Sequence, residues 1–299
     1  MNQKFTFLLI PLFVLILKTA TGQGYIDLIS VDYNYGLNDD KYDDLSSLGL
    51  TLQVPVPLPN QDVILSGFII ESSETSRGTT AFGTRNLTFN GGYQKQFKND
   101  KALLFLTIHR FNGNEFRLNS SYYQLAIASL YTYKKTNNGT YQLGFYTNQE
   151  FMGRIITPLF GIDWRIGPRL RFYGVLPASG SLAYLQSKRW FYGLNFIGIF
   201  QTYQQEQLNN QYVQRVINQL SLFSNFYITK QIVFETKLGY HIGSGYRSFQ
   251  EGDKIGWALN VIKFGDNRQE LDRISTDGLV FTAGIKFRFD LEPAQKKEG

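Results

Sequence analysis

Hydrophobic and polar residues alternate along most of this chain. The stretch from Leu279 to Phe289 shows the pattern most plainly. Leu279, Phe281, Ala283, Ile285, Phe287 and Phe289 share one parity, and Val280, Thr282, Gly284, Lys286 and Arg288 the other. Successive strand side chains point to opposite faces, so this is a strand with one apolar and one mostly polar side. The period recurs upstream. Ile29, Val31, Tyr33 and Tyr35 alternate with Ser30, Asp32 and Asn34 in a first strand, Tyr25 to Tyr35. Leu48, Leu50, Leu52, Val54 and Val56 alternate with Gly49, Thr51 and Gln53 in a second, which closes on Pro55 and Pro57, where missing ladder donors cost least.

Further strands are expected at about Asp62 to Ile70, around Leu87 to Tyr93, at Leu103 to Phe111, Tyr123 to Tyr131, Tyr141 to Phe145 and Phe160 to Trp164. A ninth carries Leu170 and Phe172 against Arg169, Arg171 and Tyr173, and a tenth spans Ser181 to Leu185. Trp190 to Phe200, Tyr212 to Tyr227 and Ile232 to Tyr240 complete the set before the last strand. The count is fourteen. Twelve is the alternative, if the ninth and tenth form one interrupted unit.

Connections are tight after the even strands, as at Pro59-Asn60, Lys98-Asn99-Asp100, Thr136-Asn137-Asn138-Gly139 and Gly167-Pro168. They are expected to be long and polar after the first, third (Glu71 to Gly83) and thirteenth strands (Gly243 to Asp277), with a strand-like hairpin at residues 254–264 in the last. Short turns at one end and long loops at the other, with an even strand number, are the signature of a transmembrane antiparallel β-barrel. Lipid leaves no partner for an unpaired backbone group, so a spanning sheet must close on itself. Phe97, Tyr133, Tyr141, Trp164, Trp190 and Phe289 flank the short turns, which predicts one aromatic girdle. Tyr35, Tyr123 and Tyr240 predict the second.

The N-terminus follows a different pattern. Lys4 precedes an apolar run from Phe5 to Leu17, and Ala20-Thr21-Gly22 offers small residues for cleavage. Residues 1–22 read as a secretory signal peptide, too short to span a bilayer as a helix. Residues 23–290 are then the barrel, and 291–299 a short charged tail. Only Gln23 and Gly24 would precede the first strand, which leaves no room for a plug. Without the leader, Lys4 and Lys18 are lost and the formal net charge falls from +6 to +4. Zero cysteines exclude a disulfide framework and thiolate metal sites. Aromatics reach 16%, with 19 Tyr and 25 Phe, which suits an interfacial protein better than a secreted soluble domain.

Thr282, Gly284, Phe287 and Phe289 fit polar-x-Gly-x-x-aromatic-x-aromatic. This resembles the C-terminal insertion signal of Gram-negative outer-membrane barrels. With the block Pro158 to Tyr184 it makes the mature chain similar to a porin-like outer-membrane barrel family of uncharacterised function. The resemblance implies residence in the cell outer membrane, contact with its lipid, and handling by the barrel-assembly machinery. It supplies no active residues.

Chemistry is sparse. His109 and His241 read as residues satisfied by neighbours at a lumen or rim position, and Asp39, Asp40, Asp43 and Asp44 as a solvated loop. No G-x-S-x-G marks a nucleophile. The expectation is no enzyme, no cofactor, no metal and no nucleic-acid partner. The one constellation of interest is electrostatic. Arg165, Arg169, Arg171, Lys237, Lys286 and Arg288 fall on polar faces near the short-turn rim, opposed there by Asp163 and Glu235. In a closed barrel they would face one another across the lumen and bias a small-solute passage toward anions. Two readings stand against a tuned filter. The groups pair with acids and fill the lumen, or they simply keep it hydrated.

Overall fold

The computed structural model describes residues 25–37, 44–136, 138–206 and 211–290. The expected leader at 1–22, the expected tail at 291–299 and Asp39, Asp40 and Asp43 of the acidic stretch lie outside them. Eighteen strands form one sheet. They are β1 (Tyr25–Leu37), β2 (Asp44–Pro57), β3 (Val63–Arg77), β4 (Thr80–Gln96), β5 (Ala102–Gly113), β6 (Tyr123–Thr136), β7 (Gly139–Glu150), β8 (Gly153–Arg165), β9 (Leu170–Leu176), β10 (Ser179–Ser187), β11 (Trp190–Gln205), β12 (Gln211–Tyr227), β13 (Ile232–His241), β14 (Gly245–Gln250), β15 (Trp257–Leu259), β16 (Ile262–Phe264), β17 (Asp272–Ser275) and β18 (Gly278–Asp290). β1 to β13 and β18 pair antiparallel in sequence order, and β18 returns to β1, with Tyr33 opposite Ala283 and Leu37 opposite Leu279. This is a closed fourteen-strand barrel. The short β9 and β10 are separate strands, joined by a two-residue connection.

Polarity is inverted relative to a soluble protein. Leu48, Val54, Leu143, Phe160, Leu222 and Phe281 are exposed on the outer face, Leu222 at 62%. Thr88, Asn112, Gln124, Asn148, Gln219, Ser221 and Thr282 are buried on the inner one. Because the side-chain period is two, a one-residue slip would send every polar group outward, so the pattern fixes the register. Phe97, Tyr133, Tyr141, Trp164 and Trp190 are exposed next to the short turns, Phe289 is half-buried there, and Tyr35, Tyr123 and Tyr240 are exposed near the other end. Both expected girdles are present.

One connection differs from the sequence-based expectation. Glu71 to Gly83 is not a loop. β3 and β4 continue in register until Arg77 faces Thr80 around a two-residue turn. Ser73, Thr75 and Thr84 keep the inward alternation and are buried. Polar outward residues in this stretch reflect strands that have passed the apolar belt, not strands that have ended. The 254–264 hairpin is present as β15 and β16.

Strand lengths are uneven, and this shapes the loop end. β9 and β10 are short, so the wall is low there. Phe160 is the last β8 residue with a β9 partner in that direction, and Ile197 the last of β11 with one on β10. An exposed edge invites uncontrolled pairing. On β8 it is covered by β15, which runs parallel to Arg154–Ile156. On the other side, β11, β12, β14 and β17 form a four-stranded extension of the wall. Its bend lies at Ile242–Gly245, where Gly243 adopts φ 63° and Gly245 φ 158°. A Cβ on Gly245 would collide with the Ile274 carbonyl oxygen.

Candidate functional site

The lumen is the candidate site, and side chains or backbone cross it at two levels. At the loop end the four-stranded extension leans inward as a lid. Gln204 of β11 bridges Gly113 of β5 as a parallel pair, although these strands are far apart around the ring. Thr202, fully buried, is the hub. Its backbone N–H and hydroxyl donate to Glu150 Oε2 at 2.8 and 2.5 Å. Its carbonyl accepts from Asn112 Nδ2 and Gln124 Nε2, both at 3.2 Å. Gln205 donates to the Gly83 carbonyl at 3.0 Å.

Further contacts fasten the lid to β3 and β4. Arg215 donates to Glu71 at 2.7 Å, and the Tyr246 and Ser73 hydroxyls are 2.8 Å apart. Leu45, Phe82, Val213, Tyr246, Ile274 and Val280 pack behind these bonds. Glu150 is also reached by Arg110 at 3.5 Å and by Asn148, so this buried carboxylate is enclosed by donors. A buried carboxylate is tolerable only with such pairing.

At the short-turn end the predicted charge cluster assembles with partners. Arg171 forms a bidentate pair with Asp163, at 2.7 and 2.5 Å. Glu235 lies between Lys237 at 2.9 Å and Lys286 at 2.8 Å. Arg288 is 1% exposed. It donates to Asp27 at 2.6 and 3.0 Å, and its guanidinium lies 3.6 Å from the Tyr25 ring centroid, with Phe191 and Tyr227 at 5.4 and 5.8 Å. A planar cation held by a carboxylate fork and aromatic faces is a favourable use of arginine. Arg165 and Arg169 stand at the exposed rim, Arg169 donating to the Tyr184 hydroxyl at 3.4 Å. The two halves meet through Tyr25 and Tyr173, whose hydroxyls are 3.0 Å apart.

Sequence reasoning missed Asp27 and Tyr25. The reason is a bulge between Asp27 and Ile29 of β1. Counted back from Ile29, Asp27 falls on the lipid side; the extra residue returns it to the lumen. Asp32, on the inward parity that the sequence does give, also lies near Lys286. The lid residues carried no local signal, since their partners are distant in the chain.

Thr282 and Gly284 of the terminal motif face inward at the β1–β18 seam, and Phe287 and Phe289 outward. Thr282 donates to Asn34 at 2.6 Å. A Cβ on Gly284 would enter the Asp32 carboxylate and lie 3.0 Å from the Val31 carbonyl oxygen. Glycine therefore leaves room at the closing pair. His109 bonds the Tyr123 hydroxyl at 2.9 Å at the rim, and His241 contacts the Thr276 carbonyl and Gln219 inside.

A closed antiparallel barrel with an apolar exterior and a hydrogen-bonded polar interior has the architecture of a transmembrane β-barrel. No family model and no curated protein matches the sequence. Among solved structures, the chain is similar to the NanC porin, at 8% identity and TM-score 0.41 over 87% of this chain and 98% of that one. It is similar to an outer membrane channel from Pseudomonas putida F1, at 9% identity and TM-score 0.44 over 87% and 94%. It is also similar to the KdgM porin in complex with disordered oligogalacturonate, at 10% identity and TM-score 0.34 over 87% and 99%.

Proposed function

We propose that this protein resides in the outer membrane, with the short turns on the periplasmic side, and serves as a porin-like passage for small solutes that is shut at rest. The observation that supports this most is the pairing of a hydrated-type polar lumen with a lid that crosses it at Thr202. The extension is latched to β3 by the Arg215–Glu71 ion pair and to β7 by the hydrogen bonds of Thr202 to Glu150. In this reading barrel-assembly machinery inserts the chain using Thr282, Gly284, Phe287 and Phe289, and outer-membrane lipid surrounds it.

The charge cluster then sets ion preference, though more weakly than its basic members alone imply. Arg171, Lys237, Lys286 and Arg288 are matched in number by Asp163, Glu235, Asp27 and Asp32. The remaining basic members, Arg165 and Arg169, stand at the exposed rim of the short-turn end, which this reading places on the periplasmic side. The expectation is a weak anion preference when open, measured as a reversal potential in a salt gradient. Reversal of both arginines to Glu should remove or invert it. Cation selectivity in the wild type would contradict the assignment.

The second reading is a filled barrel with a structural or surface-binding role. The cross-lumen contacts of Tyr25 and Thr202 favour it. Absence of current from the wild type and from variants that release the lid would establish it over the channel.

A further inference from the structure

A charge on the outer wall is left unused by the membrane reading. Arg154 of β8 lies on the outward parity, exposed, between Gly153 and Ile155, both buried. Its side chain has no hydrogen bond or ion pair among the described residues, whereas the other outward positions around it are apolar or neutral. It borders a groove of about 480 Å³ on the outer face, lined by Leu125, Ile127, Phe145, Thr147 and Ile156, with Gln149 its neighbour across the ladder. Trp257 of β15 sits beside it in the parallel ladder and stacks on Phe264, with centroids 4.4 Å apart.

The height of the groove is informative. His109 pairs with Leu125 and Phe111 with Tyr123, so the groove begins one outward step below the Tyr123 girdle. A guanidinium on the lipid face is costly at the bilayer midplane and far less so near the interface. At headgroup level it can reach a phosphate while the apolar floor below accommodates an acyl chain. Trp257 is the interfacial aromatic that borders such a site.

We propose that this groove binds an anionic, phosphate-bearing lipid of the outer leaflet, its phosphate on Arg154 and an acyl chain along Leu125, Ile127, Phe145 and Ile156. Two features carry this: the groove is continuous with the apolar belt, and a cation without an acidic partner stands at its headgroup end. The inference rests on the membrane-spanning reading.

The test uses the chain's tryptophans. Trp164 and Trp190 lie at the short-turn end, so replacing both with Phe leaves Trp257 as the sole emitter. The full-length barrel is reconstituted with acyl-brominated phosphatidic acid or acyl-brominated phosphatidylcholine as a minor component, and Trp257 quenching is titrated. Selective binding predicts half-quenching at about tenfold less phosphatidic acid, the factor that about 1.4 kcal/mol of charge-assisted bonding gives. Arg154→Gln should abolish the difference and Arg154→Lys should keep part of it, with heat-modifiable migration of each variant reporting folding. Equal quenching by both lipids in the wild type overturns the site but leaves the membrane reading intact. No quenching by either lipid overturns the burial of this wall in lipid. Loss of the selective quenching on adding inorganic phosphate would assign Arg154 to the free ion and overturn the lipid claim.

Discussion

The Tyr25 and Tyr173 hydroxyls meet at 3.0 Å although β18, β13, β12, β11 and β10 separate their strands by the shorter way around the ring. Two tyrosines therefore span the lumen, and with Arg288 they form its narrow layer at the short-turn end. Tyr25→Phe removes one hydrogen bond and should cost about 1 kcal/mol of stability. Tyr25→Ala with Tyr173→Ala removes the bridge itself. Urea unfolding in detergent reads the first, and the current carried during each lid opening in planar bilayers should rise for the second. Unchanged current per opening would mean that this layer does not limit conduction.

Arg288 and Asp27 give a sharper energetic case. The guanidinium is almost fully buried, and its carboxylate partner is about one quarter exposed. Removing Arg288 leaves Asp27 only the longer contact to Lys286 at 3.8 Å, so Arg288→Ala should cost on the order of 3 kcal/mol, the low end for breaking a buried pair. Asp27→Asn alone should also destabilise. The double variant should lose less than the sum, because each partner's loss has already orphaned the other. Strict additivity would mean that the pair is not a unit.

The terminal strand combines two roles that assembly assays separate. Phe289→Ala removes an outward ring and should lower outer-membrane assembly while leaving export intact. Gly284→Val should instead prevent closure, because its side chain would enter Asp32 across the β1–β18 seam. Folded yield in detergent distinguishes them, with Phe289→Ala refolding in vitro and Gly284→Val failing. Normal surface levels for Phe289→Ala would reduce the motif to an ordinary amphipathic strand.

Much of this architecture was legible in the residues, and the limits have identifiable causes. Parity alone oriented β18, β13 and β2, because lipid on one side and a polar lumen on the other impose a strict period of two. It failed at Asp27, where a bulge shifts the phase, and at Glu71 to Gly83, where strands continue past the membrane and lose their apolar mark. The basic half of the lumen cluster was visible from the inward parity of Arg171, Lys237, Lys286 and Arg288. So were two of its opposing acids, Asp163 and Glu235; the third, Asp27, was not, since it joins Arg288 only through barrel closure. The lid was beyond reach for the same reason. Thr202 is an unremarkable strand residue until β11 crosses to β5, β6 and β7.

Acid provides a separate handle on the long connection between β13 and β18. Arg268 donates to Asp266 at 2.8 and 2.9 Å and to Tyr212 at 3.0 Å, and lies 4.2 Å over the Phe249 ring, which ties the connection to β12 and β14. The hydrogen bond from Arg268 holds the Asp266 carboxyl down at about 2, against an ordinary 3.8. A depressed carboxyl contributes its stabilisation above the ordinary value and loses it as pH falls through the lowered one. The docked connection should therefore be insensitive to pH down to about 4 and loosen progressively toward about 2. Trp257 emission checks this, and Asp266→Asn should flatten the profile in that window. A transition near neutral pH would refute the assignment.

In the proposed function a lid latched at Glu150 and Arg215 closes the polar lumen. Single-channel current in planar bilayers tests it most directly, comparing the wild type with Glu150→Ala combined with Arg215→Ala, both purified as heat-modifiable barrels. The account predicts rare, brief openings in the wild type and longer, larger ones once the latch is removed. Steady current in the wild type equal to that of the unlatched variant would contradict it.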